Sequence, residues 1–408
     1  MEDRRLRAAR AAVAALFFTN GVVIADLVPR YPEIKADLGL SNAALGSAVA
    51  ALPFGALVVG LFAGAIIARH GSARVATAGI VALGLVVLLV AVAPTPGALA
   101  AVLFVAGGLD AVVDVAQNAH GLRVQRLYRR SIVNSFHGVW SMGAVTGGVM
   151  GSVAAGVSMP LPAHLAAGAA LCSLVALAGH RFLLRGPDDA ERVDDAELVA
   201  AADGHRSSPP PARRGLRAVD GAVLRALLAL GVLAACGAVV EDAGFSWAAI
   251  YLRDDLGAAA ATAGLAFVAM QSAMTAGRLS GDRFVDRFGP RSVVRTGGAV
   301  VATGMAGALA LGSTVATVVG YAIAGLGVAT LVPAAMHTAD ELPGLPDGAG
   351  LTIVSWLLRV GFLLSPPIVG SVADATSLRV GLLGVVLAGA VVTVVGRVLV
   401  DRPARPTG

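Results

Sequence analysis

Twelve long apolar runs, separated by short polar stretches, fill almost the whole chain. A helix needs about 20 apolar residues to cross the hydrocarbon core of a membrane, and the runs are of roughly this length. The predicted spans are 11–28, 42–67, 75–93, 98–119, 132–157, 165–184, 224–252, 259–280, 293–311, 315–336, 350–372 and 378–400. This pattern predicts an all-α membrane protein with twelve transmembrane helices.

The composition excludes several classes of soluble protein. Of the 408 residues, 57% are hydrophobic and only 14% are charged, whereas soluble domains carry about 25% charged residues. The net charge of +5 does not indicate nucleic-acid binding, because the arginines lie in short clusters between apolar runs. Two cysteines inside apolar runs provide neither a disulfide framework nor a metal site, and there is no ATP-binding loop. We therefore expect a lipid bilayer as surroundings, no cofactor and no nucleic-acid partner.

The distribution of basic residues predicts the orientation in the membrane. Cytoplasmic ends of transmembrane helices carry an excess of Lys and Arg. If the N-terminus faces the cytoplasm, most of the 31 basic residues lie at inner ends, and Arg30, Lys35, Arg253 and Arg379 lie in outer loops. Both termini are therefore expected in the cytoplasm. The nearly exclusive use of Arg indicates a GC-rich bacterial genome, and hence a multi-pass protein of the bacterial inner membrane.

A charged, proline-containing stretch at 185–220 separates two groups of six spans. It contains Asp188-Asp189 and Pro209-Pro210-Pro211, and it has little that could pack into a core. We expect a cytoplasmic linker here, between an N-terminal bundle at 1–184 and a C-terminal bundle at 221–408.

Short motifs recur at a nearly constant offset in these two halves. Asp37-Leu38-Gly39 returns as Asp255-Leu256-Gly257 after 218 residues, and Gly151-Ser152-Val153-Ala154 returns as Gly370-Ser371-Val372-Ala373 after 219. We therefore expect a duplicated six-helix unit whose copies are related by a pseudo-twofold axis, with a binding site between them.

The loop after the second span contains glycines and arginines at the spacing of a known family signature. Gly64, Arg69, Gly71 and Arg74 stand at the spacing of this signature, and Ala68 stands where the signature has an Asp. A second copy after the eighth span contains Asp286, Arg287, Gly289 and Arg291. Through these loops the chain resembles the major facilitator superfamily over its whole length. The resemblance implies two pseudo-twofold-related six-helix bundles, secondary transport by alternating access, and a gating role for the eight residues named here.

Residues near the fourth, fifth and seventh spans resemble a narrower group. The run 134–143, Asn-Ser-Phe-His-Gly-Val-Trp-Ser-Met-Gly, is one part, and Asp114, Asn118, Glu241, Trp247 and Tyr251 are the other. Together they look like a little-characterised bacterial subgroup that is distantly similar to fucose permeases, which implies no settled substrate.

Glycines in the fifth span lie close to the antiporter motif of the same family. Gly143, Gly147 and Gly151 have spacings that allow close helix approach. Gly148 stands where that motif has a Pro, so the direction of transport stays open.

Several polar side chains lie at mid-span, where an ionisable residue costs about 2.5–3.5 kcal/mol to insert. Asp110, Asp114 and Asn118 stand at i, i+4 and i+8 and therefore share one face of the fourth helix. Two carboxylates one turn apart favour proton uptake by one of them, so we expect Asp114 to couple transport to protons. His137 is expected to contact Asp114 or Asn118 and to share in the coupling; a packing role is the alternative.

The C-terminal half contributes a second polar group. Glu241 and Asp242 point about 100° apart on a helix, and Glu241 is expected to face the cavity as a further proton-coupling residue. Arg359 could bind an anionic substrate or pair with either carboxylate, and the ion pair is favoured. Trp247 is expected to be an anchor at the outer membrane interface. The predicted substrate-binding residues are Asn20, Asp110, Asn118, Trp140, Gln271, Trp356 and Arg359.

These features predict a monomeric secondary transporter whose partners are a small-molecule substrate and a proton. Proton-coupled symport of a sugar-like or other small polar solute is the principal hypothesis. Proton-coupled efflux of amphipathic drugs is the alternative, and a membrane-embedded enzyme is a remote one.

Overall fold

Long helices lie side by side in the order expected from the apolar runs. The structure, a computed structural model, describes residues 2–128, 132–188, 221–342, 345 and 348–399. The long helices are α1 (Glu2–Ala25), α2 (Asn42–Gly60), α3 (Ser72–Leu88), α4 (Pro96–Tyr128), α5 (Val133–Gly156), α6 (Leu161–His180), α7 (Gly221–Asp242), α8 (Leu265–Phe288), α9 (Pro290–Leu311), α10 (Thr314–Val328), α11 (Ala349–Ala375) and α12 (Leu383–Val395). Shorter helices lie between some of them, including Ala63–His70 after α2 and Leu331–Asp340 after α10. Within the described residues all regular structure is helical, which confirms the all-α prediction.

Ten segments of the described chain are long and apolar enough to cross a membrane. The remaining two long helices, α5 and α8, have 24 residues each, which is enough for a span at about 1.5 Å per residue. α8 is less apolar because its last part carries charged residues, namely Arg278, Asp282, Arg283, Asp286 and Arg287. Together these helices form the predicted set of twelve.

Helix ends differ from the predicted spans where a helix continues past the apolar layer. α1 begins at Glu2 rather than at residue 11, and α4 ends at Tyr128 rather than at 119. Helical backbone hydrogen bonds do not require apolar side chains, so a hydropathy pattern marks the membrane layer and not the end of the helix.

The duplicated motifs have the same backbone conformation in both halves. Gly39 and Gly257 have φ of 59° and 63°, and Gly71 and Gly289 have φ of 84° and 78°. Residues other than glycine rarely adopt positive φ. The two copies therefore make the same turns after their first and second helices.

We call the end of the bundle where α1 begins the terminal side, and the end where α1 finishes the distal side. The two halves meet on the distal side. The carboxylate of Asp374, near the end of α11, accepts hydrogen bonds from the N–H groups of Asn42 and Ala43 at 2.9 and 2.8 Å. Lys35 and Asp254 form an ion pair between the halves, with Nζ and Oδ2 2.7 Å apart. These contacts close the distal side.

Removing the Asp374 carboxylate should favour opening of the distal side. It interacts with the positive end of α2, an interaction of about 1 kcal/mol, so Asp374→Ala should shift the balance between closed and open forms by roughly fivefold. Spin labels at Ala36→Cys and Ala259→Cys, with Cys172 and Cys236 replaced by serine, would report the distance across this seam by electron paramagnetic resonance. The matched control is Asp37→Ala, an exposed distal carboxylate; equal shifts in both variants would contradict the assignment.

The first residues of the predicted linker are fixed to the N-terminal half, while residues 189–220 lie outside the described residues. Asp188 accepts hydrogen bonds from the hydroxyl and N–H groups of Ser72 at 2.6 and 2.7 Å, and from Arg123 at 2.9 Å. Burial alone would raise the pKa of Asp188, but the hydrogen bonds from Ser72 and Arg123 outweigh burial and lower that pKa. The ionised carboxylate therefore holds the linker to the start of α3.

Replacing Asp188 with alanine should destabilise the protein by about 1–3 kcal/mol, because it leaves Ser72 and the buried Arg123 with fewer partners. Since the folded pKa lies below the unfolded value of about 3.9, this contribution is fully present above that value and is lost only as pH falls through the folded pKa. The difference in Tm between wild type and Asp188→Ala should therefore stay constant from about pH 5 to about pH 8. The exposed Asp282→Ala serves as control, and a difference that varies within this range would show that the pKa is not lowered.

Candidate functional site

Three helices of the N-terminal half bring their predicted polar residues into one hydrogen-bonded group. Asn20 of α1 is 2% exposed, and its amide nitrogen donates to Oδ1 of Asp110 of α4 at 2.8 Å. The indole Nε1 of Trp140 of α5 donates to the amide oxygen of Asn20 at 2.9 Å. Asn20 therefore connects the carboxylate to the indole.

Asp114 lies one turn further along α4 and extends this group. The side-chain amide of Asn118 donates to Oδ1 of Asp114 at 3.0 Å, and that of Gln117 donates to the same oxygen at 3.4 Å. Gln117 also donates to the amide oxygen of Asn20 at 3.4 Å. The two carboxylates are thus joined through amide side chains. We call this group of five residues the α4 carboxylate cluster (Asn20, Asp110, Asp114, Gln117 and Asn118).

His137 lies beside this cluster without a hydrogen bond to it. Its ring packs edge-on against Phe17, with ring centroids 5.3 Å apart, and the residue is exposed. It is near enough to Asp114 for electrostatic attraction. The predicted direct contact with Asp114 or Asn118 is absent from the hydrogen bonds of the described residues, because the ring stands against α1 instead.

A cavity of about 490 Å³ separates this cluster from α11. It is lined by terminal-side residues of α2, α4 and α11, and on α11 these include Ser355, Trp356 and Arg359. Small-molecule sites have volumes of about 300–1,000 Å³. The predicted residues Asp110, Asp114, Trp356 and Arg359 therefore share one cavity of suitable size.

The predicted ion pair of Arg359 with Glu241 or Asp242 is not found in the described structure. Glu241 instead lies 3.6 Å from Arg278 of α8, and Asp242 accepts a hydrogen bond from the hydroxyl of Ser246 at 2.6 Å. Glu241 therefore has a cation from α8 beside it, and Arg359 lines the larger cavity.

Glu241 and Gln271 belong to a second, much smaller cavity between the halves. Its volume is about 50 Å³, room for little more than water, and Trp140 lines it from the N-terminal half. Trp140 therefore contacts both this space and the α4 carboxylate cluster. Gln271 and Glu241 do not line the larger cavity with Asp114, although the sequence grouped them in one site.

α7 departs from regular helix immediately after Asp242. Two π-helical turns, at Ala243–Trp247 and Tyr251–Asp255, continue it towards the distal side. Trp247 is completely buried and packs against Gly46 of α2. The prediction of a membrane-interface anchor was wrong, because the extra residue of a π-turn rotates this side chain into the seam between the halves.

The residues predicted to act as gates lie at the terminal side. Arg69 is exposed in the short helix Ala63–His70 that follows α2, and Arg74, Asp286 and Arg287 are exposed near the ends of α3 and α8. Arg291 donates to the carbonyl of Leu399 at 2.8 Å, and Gly64 has open space where a Cβ would stand. Their role in gating stays a prediction.

One buried ionisable pair, His164 with Asp26, is not predicted by the sequence analysis. Nε2 of His164 of α6 lies 2.8 Å from Oδ1 of Asp26, and both residues are at least 96% buried. The sixth span was predicted to begin at 165, so His164 was placed in a loop. The Pro160 just before α6 was the available signal, because proline commonly precedes the first turn of a helix.

Comparisons with known proteins agree with this geometry. The family model described as Major Facilitator Superfamily matches residues 11–344 and 232–408. An uncharacterised MFS-type transporter of Yersinia pestis is 27% identical over 366 residues, which cover 89% of this chain and 88% of that protein. The resemblance to fucose permeases stays a prediction.

Solved structures share the fold at low sequence identity. A mutant of the nucleoside transporter NupG has a TM-score of 0.74 and 13% identity, covering 95% of this chain and 99% of that one. A D-xylose–proton symporter has a TM-score of 0.70 and 15% identity, covering 96% of both chains. At these identities the likeness establishes the arrangement of the helices.

Proposed function

Because the chain belongs to the major facilitator superfamily, whose members are secondary transporters and not enzymes, we propose that it is a proton-coupled symporter of a small polar solute. The hypothesis of a membrane-embedded enzyme is therefore dropped. The bacterial inner membrane is the proposed location, with the terminal side in the cytoplasm. The distal contacts then close the outer side, and the cavity of about 490 Å³ faces inward.

The observation that carries this proposal is the α4 carboxylate cluster at the wall of that cavity. Asp114 is exposed to the cavity and Asp110 is connected to it through amide groups. A carboxylate inside a membrane protein that faces water on one side at a time can carry one proton per cycle. The hydroxyl groups of Thr352 and Ser355, which line the same cavity, offer hydrogen bonds to a polar solute.

Reconstituted vesicles would test the proposal directly. With a solute gradient and no initial pH gradient, downhill solute entry should carry protons inward and acidify a pH-sensitive dye trapped inside. Solute entry without acidification would overturn proton symport.

Efflux of an amphipathic compound remains a second candidate because part of the cavity wall is apolar. Leu57, Leu61, Val115 and Leu351 line it. In the same vesicles, outward movement of a lipophilic dye against entering protons would favour this function, and acidification driven by a polar solute would exclude it.

A further inference from the structure

The face that α11 turns towards the cavity carries an exposed cationic side chain. Arg359 is exposed, and it has no ion-pair or hydrogen-bond partner among the described residues. A guanidinium presents five N–H donors in a planar fork, which matches the two oxygens of a carboxylate. The hydroxyl of Ser355, one turn earlier on the same face, can add a donor.

The charges around the cavity favour a ligand with a single negative charge. The ionisable residues that line it are Arg359, Asp110 and Asp114. Both carboxylates accept hydrogen bonds from neutral amide groups, whereas Arg359 has no hydrogen bond or ion pair among the described residues. Asp114 is the carboxylate that faces Arg359, so a proton on Asp114 leaves the positive charge of Arg359 for the ligand. A dianion would add excess negative charge to a site that has one cation and two carboxylates.

The remaining wall suits a compact organic body next to that charge. Trp356 is 49% exposed and lies three residues before Arg359 on the same helix. Leu57 of α2 and Leu61, the residue just after α2, also line the cavity. An indole and two leucines can pack against a carbon skeleton, which an inorganic anion would not supply.

We infer that the solute is a small organic monocarboxylate, bound by Arg359 and accompanied by a proton on Asp114. This inference rests on the proposed function and names its substrate class. An ionised Asp114 repels the carboxylate of the solute and attracts Arg359 itself, whereas a protonated Asp114 can donate a hydrogen bond to the solute. Binding of the anion therefore requires the proton.

Other groups near Asp114 have to be included in its pH dependence. Asp110 lies one turn away on α4, His137 faces it from α5, and Arg359 faces it from α11. α1 contributes the neutral Asn20, and α2 contributes apolar side chains. Protonation of His137 would attract the anion, so His137→Gln is included beside the Asp114 variant.

Binding can be tested on the purified full chain by thermal denaturation with a panel of matched probes. The panel consists of lactate, gluconate, glucuronate and benzoate, with lactamide, glucose and benzamide as neutral counterparts and glucarate as a dianion. We expect one or more monocarboxylates to raise the Tm more strongly at about pH 5.5 than at about pH 7.5. The neutral counterparts and the dianion should have no such effect.

Variants then separate the parts of the inference. Arg359→Gln should weaken binding of the stabilising carboxylate at least about thirtyfold, and Arg359→Lys should retain part of it. Asp114→Asn should bind at both pH values alike, and His137→Gln should keep the pH dependence. Arg379→Gln, which removes a distal arginine outside the cavity, is the matched control, and chromatography establishes that each variant is folded. Stabilisation by neutral probes alone, carboxylate binding that survives Arg359→Gln, or a panel without any response would each overturn the inference.

Transport distinguishes failure of this inference from failure of the proposed function. One monocarboxylate and one proton move together without net charge, so uptake should respond to a pH gradient and not to a membrane potential. A neutral solute that enters with a proton carries net charge, so its uptake would be driven by both the pH gradient and the membrane potential. That result would support the proposed function and overturn the inference. Arg359-dependent carboxylate binding without proton movement would sustain the carboxylate site and overturn symport.

Discussion

Vesicles containing the Asp114→Asn variant should lose solute accumulation driven by a pH gradient while retaining exchange of solute for solute. The proposed function requires one carboxylate that gains and loses a proton in each cycle, and asparagine cannot do so. A pH difference of one unit supplies about 1.36 kcal/mol, enough for about tenfold accumulation. Wild-type vesicles should reach this ratio, and the variant should stay at equal concentrations on both sides.

Exchange is the measurement that separates lost coupling from lost binding. Asparagine keeps the shape of Asp114 and can still accept the hydrogen bond that Asn118 donates at 3.0 Å, so the solute should still bind. Glu241→Gln is the matched comparison, because Glu241 lies in the smaller cavity beside Arg278. If both variants accumulate solute as wild type does, proton coupling at these carboxylates is wrong.

A Gly147→Val substitution should have the largest effect on folding. Three glycines on α5, one per turn, lie directly against main-chain carbonyl groups of α1 and of the residue that follows it. The pairs are Gly143 with Phe18, Gly147 with Val22, and Gly151 with Asp26. A Cβ at Gly147 would collide with backbone on α1, which cannot move aside as a side chain can. Overpacking costs about 1–3 kcal/mol, and we expect a cost at the upper end.

The expected result is a Tm lower by roughly 2–4 °C or failure to recover a monodisperse protein. Gly138→Val on the same helix is the control, because a Cβ there meets nothing within 4 Å. Separation of α1 from α5 would also break the hydrogen bond between Trp140 and Asn20, so residual folded protein should bind solute poorly. Equal stability of the two variants would show that the helices do not depend on this contact.

The sequence predicts which residues share a helix face more successfully than which residues meet across helices. Asp110, Asp114 and Asn118 stand together because their spacing of four residues matches the helical period. The pairing of Glu241 with Arg278 could not be derived in this way, because it depends on how α7 and α8 are rotated about their axes. The glycine contacts and π-turns that set such rotations leave no mark in a hydropathy pattern.

The errors at Trp247 and His164 have the same physical origin. Hydropathy describes the membrane layer, whereas contacts at its edge depend on local backbone geometry. Trp247 is completely buried in a seam that forms only when the two halves meet, and His164 is already inside α6 at a position predicted as loop. The Gly71 and Gly289 turns were predictable from the repeat because conformation there depends on the residue itself.

The opposite charges of Asp114 and Arg359, which lie on different halves, also determine whether the protein can change conformation without solute. Without solute, an ionised Asp114 can neutralise Arg359 as the inner side closes, so the unloaded protein can reset. With a proton on Asp114 and no solute, closure would bury the guanidinium alone, at a cost of several kcal/mol. Under the proposed symport, a proton would therefore cross the membrane only together with the solute, and the empty protein would not leak protons.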